Sequence, residues 1–218
     1  MRSLRQKTAE IYDIILSENL DILSLSETWQ KKTHDDCLYA AAPPDFTFVG
    51  QHRAQQPGGG VCIFFRKSIK VERLDLRKGP EIEAVAVKAR CEGVSFICAS
   101  VYKAPQYTDS NTLRKLDQLL NDVRSHGCPV ILTGDINVHL DNPNDLQTAS
   151  FNLSLVKSKM TQNLTMPTQI HGHTLDMLVT TDNAVDITDI VAEPISLSDH
   201  SLVMCSCQIK KLKKKVCR

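Results

Sequence analysis

The sequence predicts an α+β sandwich, two sheets packed together with helices outside. Three observations carry that expectation. Apolar runs of strand length outnumber segments of helical periodicity, and no strict strand–helix–strand repeat orders them. The 218 residues also suffice for one domain whose core needs no staples.

Taken in order, Leu4 to Leu20 carries Leu4, Ile11, Tyr12 and Ile15 at three- and four-residue spacing, which predicts a helix. Asp21-Ile-Leu-Ser-Leu-Ser26 alternates as a strand and ends at Glu27-Thr-Trp29. A loop containing Pro43-Pro44 leads to a strand at Phe46-Thr-Phe-Val49. The turn Pro57-Gly-Gly-Gly60 feeds Val61-Cys-Ile-Phe-Phe65, whose unbroken apolar character predicts a buried strand. Glu83-Ala-Val-Ala-Val87 and Val94-Ser-Phe-Ile-Cys-Ala-Ser-Val101 read as two more strands. Thr112 to Ser125 gathers Leu113, Leu116, Leu119, Leu120 and Val123 on one side, a helix stopped at Gly127. Pro129-Val-Ile-Leu-Thr133 is a buried strand opening onto Gly134-Asp-Ile-Asn137. Asp141 to Thr168 reads as loop, and Leu175 to Val179 and Ser201 to Cys207 are the last strands. No internal repeat or low-complexity block divides the chain, so residues 1–208 are expected to form one domain, with a basic tail at 209–218.

Charge is nearly balanced, 26 Lys+Arg against 25 Asp+Glu, but six of the basic residues fall between Lys210 and Arg218. That leaves 20 basic against 25 acidic groups in the body, a poor composition for general phosphate binding; the tail could supply that charge, and otherwise reads as a solvated end or the start of a linker. No run approaches the ~20 apolar residues of a membrane span, and the basic opening Met1 to Lys7 leads into no apolar stretch. The expectation is a soluble, intracellular domain with no membrane partner. Eight scattered cysteines without a C-x-x-C pair suit reduced, buried thiols better than disulfides or a zinc site. The sequons at Asn152 and Asn163 carry little weight without a secretory signal.

The chemistry sits at strand ends. Glu27 follows one strand, Tyr102 ends another, Asp135 and Asn137 end a third, Asp176 lies in a fourth, and Ser198-Asp-His200 precedes the last. Such ends can converge on one rim of a sandwich, where isolated Asp, Asn and His have no packing task. Hard oxygen ligands such as Glu27 and an Asp suit Mg²⁺ or Mn²⁺. The bland readings are a turn for Asn137, an edge-strand aromatic for Tyr102 and a sheet pair for Asp176. His171 and His173, separated by one Gly, make a weak zinc pattern and read as loop residues. Trp29 reads as packing behind Glu27.

Ser26-Glu-Thr-Trp29, Ser100-Val-Tyr-Lys-Ala-Pro105, Gly134-Asp-Ile-Asn137, Thr174-Leu-Asp176 and Ser198-Asp-His200 occur in the order and spacing of the endonuclease/exonuclease/phosphatase family. Pro167-Thr-Gln-Ile-His-Gly-His-Thr-Leu-Asp176 and the Arg2-Ser-Leu-Arg-Gln-Lys7 opening resemble most the endonuclease domain of non-LTR (LINE-type) retrotransposons. The resemblance covers the chain to about Gln208, and each motif is weak alone but strong in the ordered set. It implies a four-layered, DNase I-like α/β sandwich of two mixed sheets with flanking helices, and a Mg²⁺- or Mn²⁺-dependent phosphodiesterase that nicks DNA. Glu27 matches the metal-binding glutamate and Asp199 a second acid near the metal. Asp135 matches the aspartate that orients or deprotonates the attacking water. Asn137, Tyr102 and His200 match groups that meet the scissile phosphate, and Asp176 matches the aspartate that orients this histidine.

Two departures from the family pattern stand out. Ile136 replaces the usual Phe of Gly-Asp-Phe-Asn. The family's opening strand, with a metal-site Asn two residues before Arg-Ser-Leu, is absent, so the expectation is a truncated or genomically stranded copy of an element's endonuclease, with impaired activity, or an incomplete gene model. An intact element would add a reverse transcriptase domain, and the DNA substrate implies a nuclear location. The rivals are a cellular phosphoesterase of the same fold, acting on DNA ends or phosphoinositides, and a catalytically silent remnant.

Overall fold

The computed structural model describes residues 3–30, 35–53, 58–76, 79 and 81–211. Pro57 of the expected turn, Met1 and Arg2 of the opening and 212–218 of the expected tail lie outside the described residues.

A three-stranded antiparallel sheet places β3 (Val61–Arg66) between β1 (Ile22–Ser26) and β2 (Phe46–Gln51). A six-stranded sheet runs β4 (Lys70–Leu74), β5 (Ile82–Cys91), β6 (Val94–Lys103), β7 (Val130–Asp135), β9 (Asp176–Thr181), β8 (Met160–Gln162). Only β6 and β7 pair in parallel within it. A crossover through α3 (Ser110–Ser125) joins them, as parallel neighbours require. β10 (Val185–Glu193) and β11 (Leu202–Ile209) form a separate antiparallel ribbon.

Three cores explain four layers. Val61, Ile63 and Phe65 of β3 face Val85, Val87, Cys98, Ile131 and Leu178 of the large sheet, and Ile187 and Val203 of the ribbon pack on the same core. Cys62 and Phe64, on the other face of β3, meet Ile11 and Ile15 of α1 (Thr8–Ser17) and Leu38 and Ala41 of α2 (Asp36–Ala41). The far face of the large sheet packs Ala86, Ala99 and Leu132 against Leu116 and Leu120 of α3 and Phe151 and Leu155 of α4 (Leu146–Ser158). β3 is apolar at every position from Val61 to Phe65 because both of its faces are covered. Two sheet layers with flanking helices match the expected fold class, except that the six-stranded sheet alone is mixed and the three-stranded one is wholly antiparallel.

Local chemistry sets the boundaries. The Asp109 carboxylate accepts the Thr112 N–H at 2.9 Å and so starts α3 two residues before the expected Thr112. Gly127, at φ +65°, takes the left-handed turn that ends it. The first helix is shorter than the expected Leu4 to Leu20. Elements unforeseen in the sequence are α2, β4, β10 and, within the expected 141–168 loop, α4 and β8. The α4 pattern is smeared: Phe151 and Leu155 are buried, whereas Leu146, Leu153 and Val156 are exposed, so no single apolar stripe announces it. Its start is marked by Asp145, which accepts the N–H groups of Gln147 and Thr148. All seven described cysteines are free thiols; Cys62 and Cys98 are buried as expected, whereas Cys37, Cys91, Cys128 and Cys205 are only partly buried and Cys207 is exposed. No helix among the described residues is long and apolar enough to cross a membrane.

Candidate active site

Strand register builds the site. Glu83 pairs across β5–β6 with Tyr102, Tyr102 across β6–β7 with Asp135, and Asp135 across β7–β9 with Asp176. Cross-strand partners share a face, so these four polar side chains form one row at the end of the core between the sheets. One step inward the row is Val85, Ser100, Thr133 and Leu178, and Ser100 bonds Ser24 of β1 across the sheets at 2.8 Å. The row needs β6 and β7 in close approach. Gly134 permits it, since a Cβ there would lie 1.8 Å from the Val101 carbonyl oxygen.

Glu27 reaches this rim from the end of β1. Its backbone is left-handed, φ +56°, a conformation that costs a non-glycine residue roughly 1–2 kcal/mol. Neighbouring backbone bonds hold it: Ser3 N–H to Glu27 O at 3.1 Å, Leu4 N–H to Thr28 O at 3.1 Å and Trp29 N–H to Gly59 O at 2.7 Å. The Tyr102 hydroxyl donates to Glu27 Oε1 at 2.5 Å. Burial, and then the Glu27 carboxylate, push the Tyr102 pKa well up, so the phenol stays a donor.

His200 closes the other side. Its Nδ1 lies 2.8 Å from Asp176 Oδ2, and its Nε2 lies 3.9 Å from Asp135 Oδ2. A carboxylate only accepts, so Nδ1 carries the proton and Nε2 faces the rim. Burial works against the charged imidazole, yet the Asp176 bond and charge, joined by Asp135, raise its pKa above the ordinary value. Burial and then the Asp176 charge push Asp135 up to about 7, with His200 and the Asn137 N–H pulling the other way.

The remaining expected residues divide. Asn137, left-handed at φ +47°, donates its backbone N–H to Asp135 Oδ1 at 2.9 Å and its amide to the Lys103 carbonyl at 2.9 Å. It braces the Asp135 turn and keeps one amide hydrogen spare. Asp199 is exposed, one residue before His200, and its carboxylate joins neither cluster of close donor atoms among the described residues. Trp29 is 43% exposed beside Gly58 rather than packed behind Glu27, because its left-handed backbone turns it outward. His171 stays on an exposed loop, whereas His173 is drawn to Asp141.

Glu83 and Arg53 were missed in the sequence. The buried Glu83 carboxylate accepts bonds from Arg53 Nε and the Gly60 N–H, and Arg53 lies over the Tyr102 ring, 5.8 Å from its centroid. The signal was an acid opening an otherwise apolar strand. Gly60 must be glycine, since at φ +88° a Cβ would lie 2.6 Å from Thr28 Oγ1. Lys103 is fully buried, donates to the Tyr107 carbonyl at 3.0 Å, and is pushed down by burial while Asp135 and Asp109 oppose.

The donors fit a hard divalent cation. Glu27 has no basic partner among the described residues, and only its Oε1 is engaged, by a neutral phenol. A half-buried carboxylate with a spare oxygen suits Mg²⁺ or Mn²⁺. Asp135, Asp176 and His200 also bring donor atoms within 4.8 Å of one another. There the tight Nδ1–Asp176 bond reads as an oriented imidazole instead of a ligand set.

A family model described as the endonuclease/exonuclease/phosphatase family matches residues 1–200. Among solved structures, the endonuclease domain of TRAS1, a telomere-specific non-LTR retrotransposon, superposes with TM-score 0.70 at 14% identity, covering 96% of this chain and 94% of that one. The human nocturnin catalytic domain gives 0.68 at 16%, covering 94% and 87%. An AP endonuclease from Archaeoglobus fulgidus gives 0.65 at 15%, covering 95% and 96%. Among curated proteins, none matches the chain. At these identities the structural likenesses establish the DNase I-like fold, and the sequence model extends over the strand ends that carry Glu27, Tyr102, Asp135, Asp176 and His200. The match to that family model shows that the chain belongs to the endonuclease/exonuclease/phosphatase family, whose members are generally metal-dependent hydrolases of phosphoester bonds.

Proposed function

We propose that this chain is a metal-dependent phosphodiesterase that nicks DNA, of the retrotransposon endonuclease type. The carrying observation is the meeting of Asp135, Asp176 and His200, donor atoms within 4.8 Å, in line with the Tyr102–Glu27 bond. The likeness to the TRAS1 endonuclease domain supports the choice of DNA.

Asp135 orients the attacking water and takes its proton, a task for which a pKa near neutrality is suited. His200, whose charged form the Asp176 bond and charge favour, presents Nε2–H to a non-bridging phosphate oxygen, and Asn137 offers its spare amide hydrogen to another. Such preorganised donors are worth on the order of 10²–10³ in rate each. Tyr102 holds the Glu27 carboxylate in place, and Glu27 with Asp199 would hold the cation. When bound, Mg²⁺ or Mn²⁺ supplies Lewis-acid neutralisation of the phosphate and leaving oxygen. In an intact element a reverse transcriptase would extend the exposed 3′ end, which sets the work in the nucleus.

The test is supercoiled plasmid with the purified chain and Mg²⁺. Relaxed circles that vanish with chelator and with Asp135→Ala are the expected result. No relaxation by a folded chain that instead releases phosphate from a sugar phosphate or phosphoinositide would overturn the DNA reading.

A further inference from the structure

We propose that His139, Asp141 and His173 form a second metal site, for a transition-metal cation of the zinc class, separate from the phosphoester rim. Their ligand atoms all lie within 4.8 Å of one another. Asp141 Oδ2 and His173 Nδ1 are 3.2 Å apart, near the donor–donor edge of about 3.3 Å around a tetrahedral cation with bonds of ~2.0 Å. The His139 and His173 rings stand edge to face at 4.3 Å between centroids. The His139 donor nitrogen thus lies within 4.8 Å of both other donors.

The donors are held in advance. Asp141 Oδ1 accepts the Thr174 N–H at 2.9 Å, which leaves Oδ2 for His173 or a metal. The Leu140 N–H bonds the Thr174 carbonyl at 3.0 Å and ties the two loops together. Thr148 Oγ1 donates to the His139 carbonyl at 2.8 Å. The His173 carbonyl accepts the N–H groups of Thr168 and Gln169 at 2.9 and 3.1 Å. A carboxylate–imidazole pair alone would need only two of the three side chains. Two imidazoles with one carboxylate match zinc-class chemistry and not Mg²⁺. His139 and Asp141 are exposed, so a fourth position stays open to water, the pattern of zinc sites with three protein ligands.

The site would brace the segment that presents His200. The His173 loop reaches that segment through the Gln169–His200 bridge, the Ser201 N–H to Thr168 O bond at 2.8 Å and the Ile170 N–H to Asp199 O bond at 3.0 Å.

The test uses the full chain, reduced, stripped of metal and held in excess Mg²⁺ so that hard-oxygen sites are filled. Co²⁺ is the probe, displaced afterwards by Zn²⁺. The expected result is one Co²⁺ per chain, with intense visible d–d bands, no thiolate-to-cobalt charge transfer, and a raised melting temperature. His139→Ala and His173→Ala should each weaken binding by at least roughly 100-fold, while His171→Ala and Asp135→Ala leave it unchanged. If the alanine variants melt early without metal, Asp141→Asn serves, since its amide oxygen still accepts the Thr174 N–H. Absent binding, thiolate bands, affinity untouched by His139→Ala, or loss on Asp135→Ala would each overturn the proposal. None of these readouts depends on DNA nicking.

Discussion

Replacing Asp135 by Asn separates what this carboxylate does for chemistry from what it imposes on the fold. Asp135 is 6% exposed, and burial with the Asp176 charge pushes its pKa to about 7 from an ordinary 3.8. At about 1.4 kcal/mol per tenfold, that gap caps the penalty of the buried charge at about 4 kcal/mol. The folded pKa lies above the unfolded one, so stability is full below about pH 4, declines as the pH rises towards 7, and is level above. Asn does not titrate, and its oxygen can keep the Asn137 N–H bond, although attraction to charged His200 is lost. In chelator, Asp135→Asn should match the wild type near pH 5 to within about 2 kcal/mol and exceed it by about 1–4 kcal/mol at pH 8. Urea unfolding at the two pH values measures this, and the nicking rate should fall by about 10²–10⁴. A variant no more stable than the wild type at pH 8, or one whose advantage ignores pH, would refute the reasoning.

Asp176→Asn keeps an acceptor oxygen but removes the negative charge that raises both His200 and Asp135, so both limbs of the nicking pH profile should move to lower pH; an unmoved alkaline limb would disconnect His200 from the rate. Gly134→Ala places a methyl group 1.8 Å from the Val101 carbonyl oxygen and should cost at least about 3 kcal/mol in urea unfolding. Asp145→Ala removes the acceptor for two N–H groups at the start of α4. It should lower stability by about 1 kcal/mol and Tm by about 2–4 °C, with the nicking rate at low temperature unchanged.

The rim was legible because Glu27, Tyr102, Asp135 and Asp176 stand where apolar strand patterns stop, and a polar side chain at such an end is visible in one dimension. The apolar runs at Val61–Phe65 and Val130–Leu132 likewise gave away sheets covered on both faces. Glu83 was not legible as a neighbour of Tyr102, since their adjacency is a matter of register between β5 and β6. Arg53 reaches Glu83 only once the sheets stack. His173 was visible, but its companion is His139, 34 residues earlier, and not the nearby His171. α4 escaped because its apolar residues face both the core and the solvent.

The row Glu83–Tyr102–Asp135–Asp176 makes this chain unevenly vulnerable to insertion and deletion. Adding or removing one residue inside β6, β7 or β9 puts the side chains before and after the change out of step, so that one stretch must turn to the opposite face. The apolar content survives such an event almost intact, while Tyr102, Asp135 or Asp176 is sent to the helix side of the sheet. Length changes in the loop between α3 and β7 leave the row standing, and loop closure penalises them only weakly. Sequences drifting without selection would therefore lose the aligned row in single steps at the strands, and tolerate long histories of change in their loops.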